Sequence, residues 1–110
     1  MNLKWYIYGE VFFSSNGQRT AARNRLNSIT NRAGYTVEVW DLLVATFGSW
    51  PAGSGNVTGT DDNGNSVPGL RFCYSTTDQA LADEGFNDIA AAWAVLQETS
   101  SWWSYAAVAV

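Results

Sequence analysis

The sequence predicts an α+β domain, a four-stranded antiparallel sheet with two helices on one face, in the order strand, helix, strand, strand, helix, strand. Three observations predict it. Apolar residues alternate with period two over 3–14, as a strand requires. They recur at steps of three and four over 22–33 and 82–96, the spacing of a helical stripe. Extended, alternating runs then return at 35–40, 70–75 and 102–110. A chain of 110 residues fits a single domain, long enough for one core and too short for two.

In the first strand Leu3, Trp5, Ile7, Val11 and Phe13 share one side, and Lys4, Tyr6, Tyr8, Glu10 and Phe12 the other. Ser15, Asn16 and Gly17 supply a turn and a cap, and Ala22, Leu26, Ile29 and Ala33 form the first helical stripe. Gly34 is placed to end that helix. Tyr35, Val37 and Val39 alternate with Thr36, Glu38 and Trp40 in a second strand that continues irregularly toward Phe47. Residues 48–68 are rich in Gly, Ser, Asn and Thr and read as a long loop, with room for a short hairpin closed at Asn63 and Gly64. Leu70, Phe72 and Tyr74 mark the third strand. Thr76, Thr77 and Asp78 offer caps, with Gln79 completing a capping box, and Ala82, Phe86, Ile89, Trp93 and Leu96 make the second stripe. Gly85 weakens that helix by about 1 kcal/mol and is a place for it to bend. Trp102–Val110 is the fourth strand.

Right-handed crossovers put both helices on one face, with the first and third strands central. In element order the chain resembles the ferredoxin-like superfold over nearly its whole length. The resemblance rests on that order rather than on a motif, and implies a fold without an activity.

The composition excludes more chemistry than it suggests. There is no histidine, which removes the usual base near neutral pH and most zinc sites. The single cysteine, Cys73, can form no intrachain disulfide and reads as a small hydrophobe in a strand. The expectation is no cofactor, no metal and no catalytic residue. Net charge is −4, and the only lysine is Lys4, so nucleic acid is not favoured as a partner. No stretch approaches the roughly 20 apolar residues of a membrane span, and Met1 does not lead into a secretory signal. The expected location is the cytoplasm, or a virion if the gene belongs to a phage.

Alternation places Leu3, Trp5, Ile7, Val37, Val39, Leu70 and Phe72 under the helices. The opposite face then receives Tyr6, Tyr8, Glu10 and Phe12, with Thr36, Glu38 and Trp40, and Arg71 and Cys73. Large rings facing water mark an interaction site, and the simplest cover is a second copy of the same sheet. The leading expectation is a non-catalytic module that self-associates through this aromatic face as a homodimer or as a subunit of a larger particle. The candidate residues are Tyr6, Tyr8, Glu10, Phe12, Glu38, Trp40 and Arg71. The rival is a small-molecule binder or enzyme with its pocket between this face and the 48–68 loop. Glu10 or Glu38 would then be acid or base, Arg71 an anion holder, and Tyr6 or Trp40 a wall.

Weaker signals are local. Trp5-Tyr6-Ile7-Tyr8-Gly9 is loosely similar to the first-strand signature of the RNA-recognition motif, but residues 69–74 depart from its third-strand signature. Asp61, Asn63 and Asn65 imitate a calcium loop with the glycine out of place and no closing glutamate. Gly53, Gly55 and Gly59 approach the spacing of a nucleotide loop, yet no helix follows. Asn56-Val57-Thr58 is a glycosylation sequon, relevant only to a secreted chain. Arginines gather in the first helix (Arg19, Arg23, Arg25 and the nearby Arg32) and acids in or beside the second, so the helices should attract one another.

Overall fold

The computed structural model describes residues 2–109. Its elements run β1 (Leu3–Phe12), α1 (Asn16–Thr30), α2 (Asp41–Phe47), β2 (Gly53–Thr60), β3 (Ser66–Thr76), α3 (Gln79–Val95) and β4 (Ser100–Ala109). Val110, expected in the last strand, lies outside the described residues. The strands form one antiparallel sheet in the order β2-β3-β1-β4, so β3 and β1 are central. The α+β class and the central pair agree with expectation. The number of helices and the identity of the second strand do not.

Residues 35–40 are not a strand. Thr36 makes one bridge to Ser75, and the chain then enters α2. The edge of β3 is already occupied, because β2 pairs with it from Gly53↔Cys73 to Thr60↔Ser66. That hairpin closes over 61–65, so its loop entropy is far smaller than that of a partner arriving from across a helix. Asp61 shapes the turn: its Oδ1 accepts from the backbone N–H groups of Asn63 and Asn65 at 2.9 and 2.8 Å. The calcium-like spacing is therefore turn chemistry. The hairpin expected inside 48–68 is present around Asn63 and Gly64 and is longer than anticipated, comprising the β2 edge strand and the start of β3.

The caps follow the same local logic. Ser15 Oγ accepts from Gln18 N at 3.2 Å, and α1 stops at Thr30, short of Ala33. Asp78, not Thr76, caps α3, its Oδ1 accepting from Ala80 N and Leu81 N. Thr76 is held in the ladder opposite Trp5 and cannot act as a cap. Gly85 does not interrupt α3, which runs unbroken from Gln79 to Val95. Instead it seats Tyr35, since a Cβ there would lie 2.4 Å from the Tyr35 oxygen. The Tyr35 hydroxyl donates to the Leu81 carbonyl, anchoring the chain after α1 to α3.

The main core lies between the sheet and helices α1 and α3. Ile7, Val11, Leu70 and Phe72 meet Leu26, Ile89 and Trp93 there, all buried. Trp93 packs edge-on against both Phe13 and Phe72, at ring separations of 6.1 and 5.7 Å. Of the residues expected under the helices, Leu3 and Val37 are exposed and Val39 sits on the other face. The valines fail because the strand that would have aimed them is absent. Arg32 carries the attraction between the helices, pairing with both Glu84 and Asp88 of α3. Among the described residues no helix is long and apolar enough to cross a membrane.

Candidate functional site

Strand alternation sends Tyr6, Tyr8 and Glu10 of β1, and Arg71, Cys73 and Ser75 of β3, to the face away from α1 and α3. The phase read from the sequence is right for both strands. The expectation that this face lies open is overturned. Residues 39–50, with α2 at their centre, fold across it as a strap. Leu43 and Trp50 are 1% and 5% exposed and pack with Tyr6 and Cys73, while Val39, Trp40, Tyr8, Trp102 and Val108 flank them. Much of the cover assigned to a partner is supplied by the chain itself.

Aromatic stacking sets the strap's entry. Trp40 lies flat on Tyr6, at 4.9 Å and 13°, and Tyr8 meets it edge-on at 5.4 Å. At the exit, Phe47 and Trp50 pack on Trp102 at 5.0 and 5.8 Å.

Arg71 ties the exit down. Its Nε donates to Glu10 Oε2 at 3.1 Å, its Nη1 donates to the Ser49 carbonyl at 2.6 Å, and its guanidinium sits 4.6 Å from the centre of the Trp50 ring. Trp102 Nε1 donates to the other Glu10 oxygen at 2.8 Å. Both oxygens of Glu10 are thus partnered inside the protein. The space directly above Arg71 holds Trp50.

Glu38 belongs to a second network at the entry. It pairs with Lys4 and accepts from Ser75 Oγ at 3.0 Å and the Tyr6 hydroxyl at 3.4 Å. The Lys4 ammonium holds the Glu38 carboxyl below the ordinary carboxylate range, and Glu38 raises Lys4 in return. Burial pushes the Tyr6 phenol up and the Cys73 thiol up to about 11, so Cys73 remains a protonated, packed thiol near neutral pH.

Phe12 is not part of this constellation. It lies over Gly59 and Gly69, where an added Cβ would come within 2.6 Å of its ring. Tyr6, Tyr8 and Trp40 are brought together, and Glu10 and Arg71 are paired. Glu38 is drawn away to Lys4. Sequence reasoning missed Leu43, Ser49, Trp50, Trp102 and Lys4. The signal for the strap was a single large aromatic, Trp50, at the start of a polar stretch, preceded by Leu42-Leu43-Val44.

Cavities of about 320 Å³ lie outside the strap. One lies between α1 and α3, beside Arg25, Ile29 and Val95, and another sits at the hairpin, beside Phe12, Asp61 and Ser100. Among the described residues no group of three His, Cys, Asp or Glu side chains is placed to hold a metal ion. On its outer side the strap leaves Leu42, Val44 and Phe47 about half exposed, with Val37 nearby in sequence at 58%. Comparison with protein-family models, with curated proteins and with solved structures returns no match to this chain.

Proposed function

We propose that this chain is a non-catalytic interaction and assembly module that associates with further copies of itself through the strap-covered face. The observation that carries the reading is the apolar flank of α2. Leu42 and Val44 stand about 100° to either side of the buried Leu43 and remain half exposed. Phe47 extends the same surface toward Trp102. A seven-residue helix with apolar residues on its inner side and both flanks has more apolar surface than the sheet can cover. A second copy packed strap to strap would cover it about a twofold axis. The docking surface moves from the sheet, where sequence alone placed it, to the strap lying on the sheet. A subunit of a larger particle, such as a virion, is compatible with this chemistry.

The finer fold reading belongs with this proposal. Antiparallel order β2-β3-β1-β4, with α1 and α3 in the two crossovers, supports a ferredoxin-like sandwich to which α2 is an addition. The rival small-molecule reading loses the space over Arg71, which Trp50 occupies.

Sedimentation velocity at micromolar concentration tests the proposal. The wild-type chain should run well above its 12.0 kDa monomer mass. Val44→Glu, on an exposed flank, should lower that mass without changing circular dichroism or Tm. Equal masses for the two proteins would refute the strap interface.

A further inference from the structure

The two edges of the sheet differ in how they are protected. β2 is glycine-rich, and Arg19 lays a guanidinium on it, Nη1 to the Val57 carbonyl at 3.4 Å. Such a charge blunts an edge. On β4 the neighbouring carboxylates Asp83 and Glu98 meet only the side chains of Tyr105 and Ser101, not the backbone. Ser100–Ala109 contains no Lys, Arg, Asp, Glu or Pro. Its pairing with β1 runs one to one from Leu3↔Ala109 to Phe12↔Ser100 without a bulge. About half of its backbone N–H and C=O groups therefore point away from β1 along a regular, uncharged edge of ten residues. Natural edges of that length and composition are normally covered.

We infer that β4 is a self-pairing edge: two copies join their β4 strands antiparallel about a twofold axis at Ser104, making one continuous sheet. The second copy is the occupant for two reasons. The strand's own residues carry no charge to repel a second copy, and its side chains are complementary in that register. A twofold axis perpendicular to the sheet returns each face to itself, so the axis must pass through a residue rather than between two. With the axis at Ser104, each Trp103 faces Tyr105 of the second copy on the helical side. Each Trp102 faces Ala106 on the strap side. An axis at Tyr105 would instead set Trp102 against Val108 and lose both Trp–Tyr pairs, which are favourable across strands. Trp103 and Tyr105 are already steadied by Phe86, at 4.4 and 5.3 Å.

The inference deepens the assembly reading and rests on it only in taking a second copy as the occupant. With the strap contact it gives each subunit two different twofold contacts, which build either a closed dihedral assembly or a chain.

The test is a Ser104→Cys variant of the full chain under mild oxidation. Antiparallel partners lie about 4.5–5.5 Å apart at Cα, within disulfide reach. The native Cys73 is buried and stays silent. A dimer should cross-link on the order of a hundredfold faster than an Asp62→Cys control in the hairpin turn, since pairing replaces micromolar collision by millimolar effective concentration. Ser104→Lys, at an exposed position, should lower the assembly mass with Tm unchanged. Cross-linking no faster than the control, or no loss of mass in Ser104→Lys, would overturn the inference. The two interfaces fail separately: Val44→Glu should leave the Ser104→Cys cross-link intact, and only Val44→Glu combined with Ser104→Lys should give a monomer.

Discussion

The two faces of this sheet are covered in different ways. Against α1 and α3 the cover is deep and apolar: Phe13, Leu26, Phe72, Ile89 and Trp93 are essentially inaccessible, and the helices carry regular stripes that match the strands. On the opposite face the cover is a twelve-residue strap with one short helix, only four buried residues in its cluster, and polar ties at both ends. Stripes of three to four turns bury enough area to hold themselves in place, whereas two turns do not, so the strap depends on Arg71, Trp40 and Trp50. The helical face should therefore behave as the global stability unit and the strap as a local one.

Three experiments would break or sharpen that contrast. The largest effect is expected from tryptophan truncation. Trp93→Ala should cost about 3–5 kcal/mol and lower Tm for the whole domain. Trp50→Ala should cost less, and its increase in amide exchange should be confined to 39–50. Exchange rising throughout both helices in Trp50→Ala would show one cooperative unit rather than two.

Arg71→Met comes next. It removes the tie to Ser49 and leaves Glu10 with Trp102 as its remaining partner, at an expected cost of about 1–3 kcal/mol in urea unfolding. Exchange at Ser49 and Trp50 should rise before that of α3. A variant as stable as wild type would mean that the clamp is ornamental.

The smallest effect is the pH dependence of the entry network. Because Lys4 holds Glu38 below its ordinary value of 4.5, the stabilisation from this group is fully present above that value and is lost as pH falls through the lower folded value. Raised Lys4 works in the other direction: its contribution is complete below 10.5 and fades as pH climbs beyond it. Glu38→Gln should therefore lie below wild type in Tm near neutrality and converge with it in acid. Parallel Tm curves across the acid range would discard the Lys4–Glu38 contribution.

Legibility followed the length of each periodic signal. β1 and β3 showed alternation long enough to establish both existence and phase, which is why Tyr6, Tyr8, Glu10 and Arg71 were assigned to the correct face. The stripe from Ala82 to Leu96 located α3, although Gly85 suggested a weak point where the fold uses a seat for Tyr35. The run 35–40 alternated equally well and was misleading, because six residues of extended pattern do not reveal whether an edge is available to pair with. β2 was legible only through its turn: Asn63 and Gly64 announced a hairpin, but Gly-Ser-Gly-Asn-Val-Thr-Gly-Thr carries almost no apolar alternation to give its length. That Glu10 and Arg71 share one face was legible. Their tie to the strap was not, since Ser49 contributes a backbone carbonyl that any residue would have supplied.

The amino-acid order by itself determined the alternation of the central strands, the helical stripes of α1 and α3, and the absence of histidine and paired cysteines, because these are local or compositional properties. The tertiary structure decided which segment completes the sheet and which covers its second face. Both are competitions between distant pieces of chain for the same edge or surface, and they are settled by loop entropy and available area rather than by any residue's own preference.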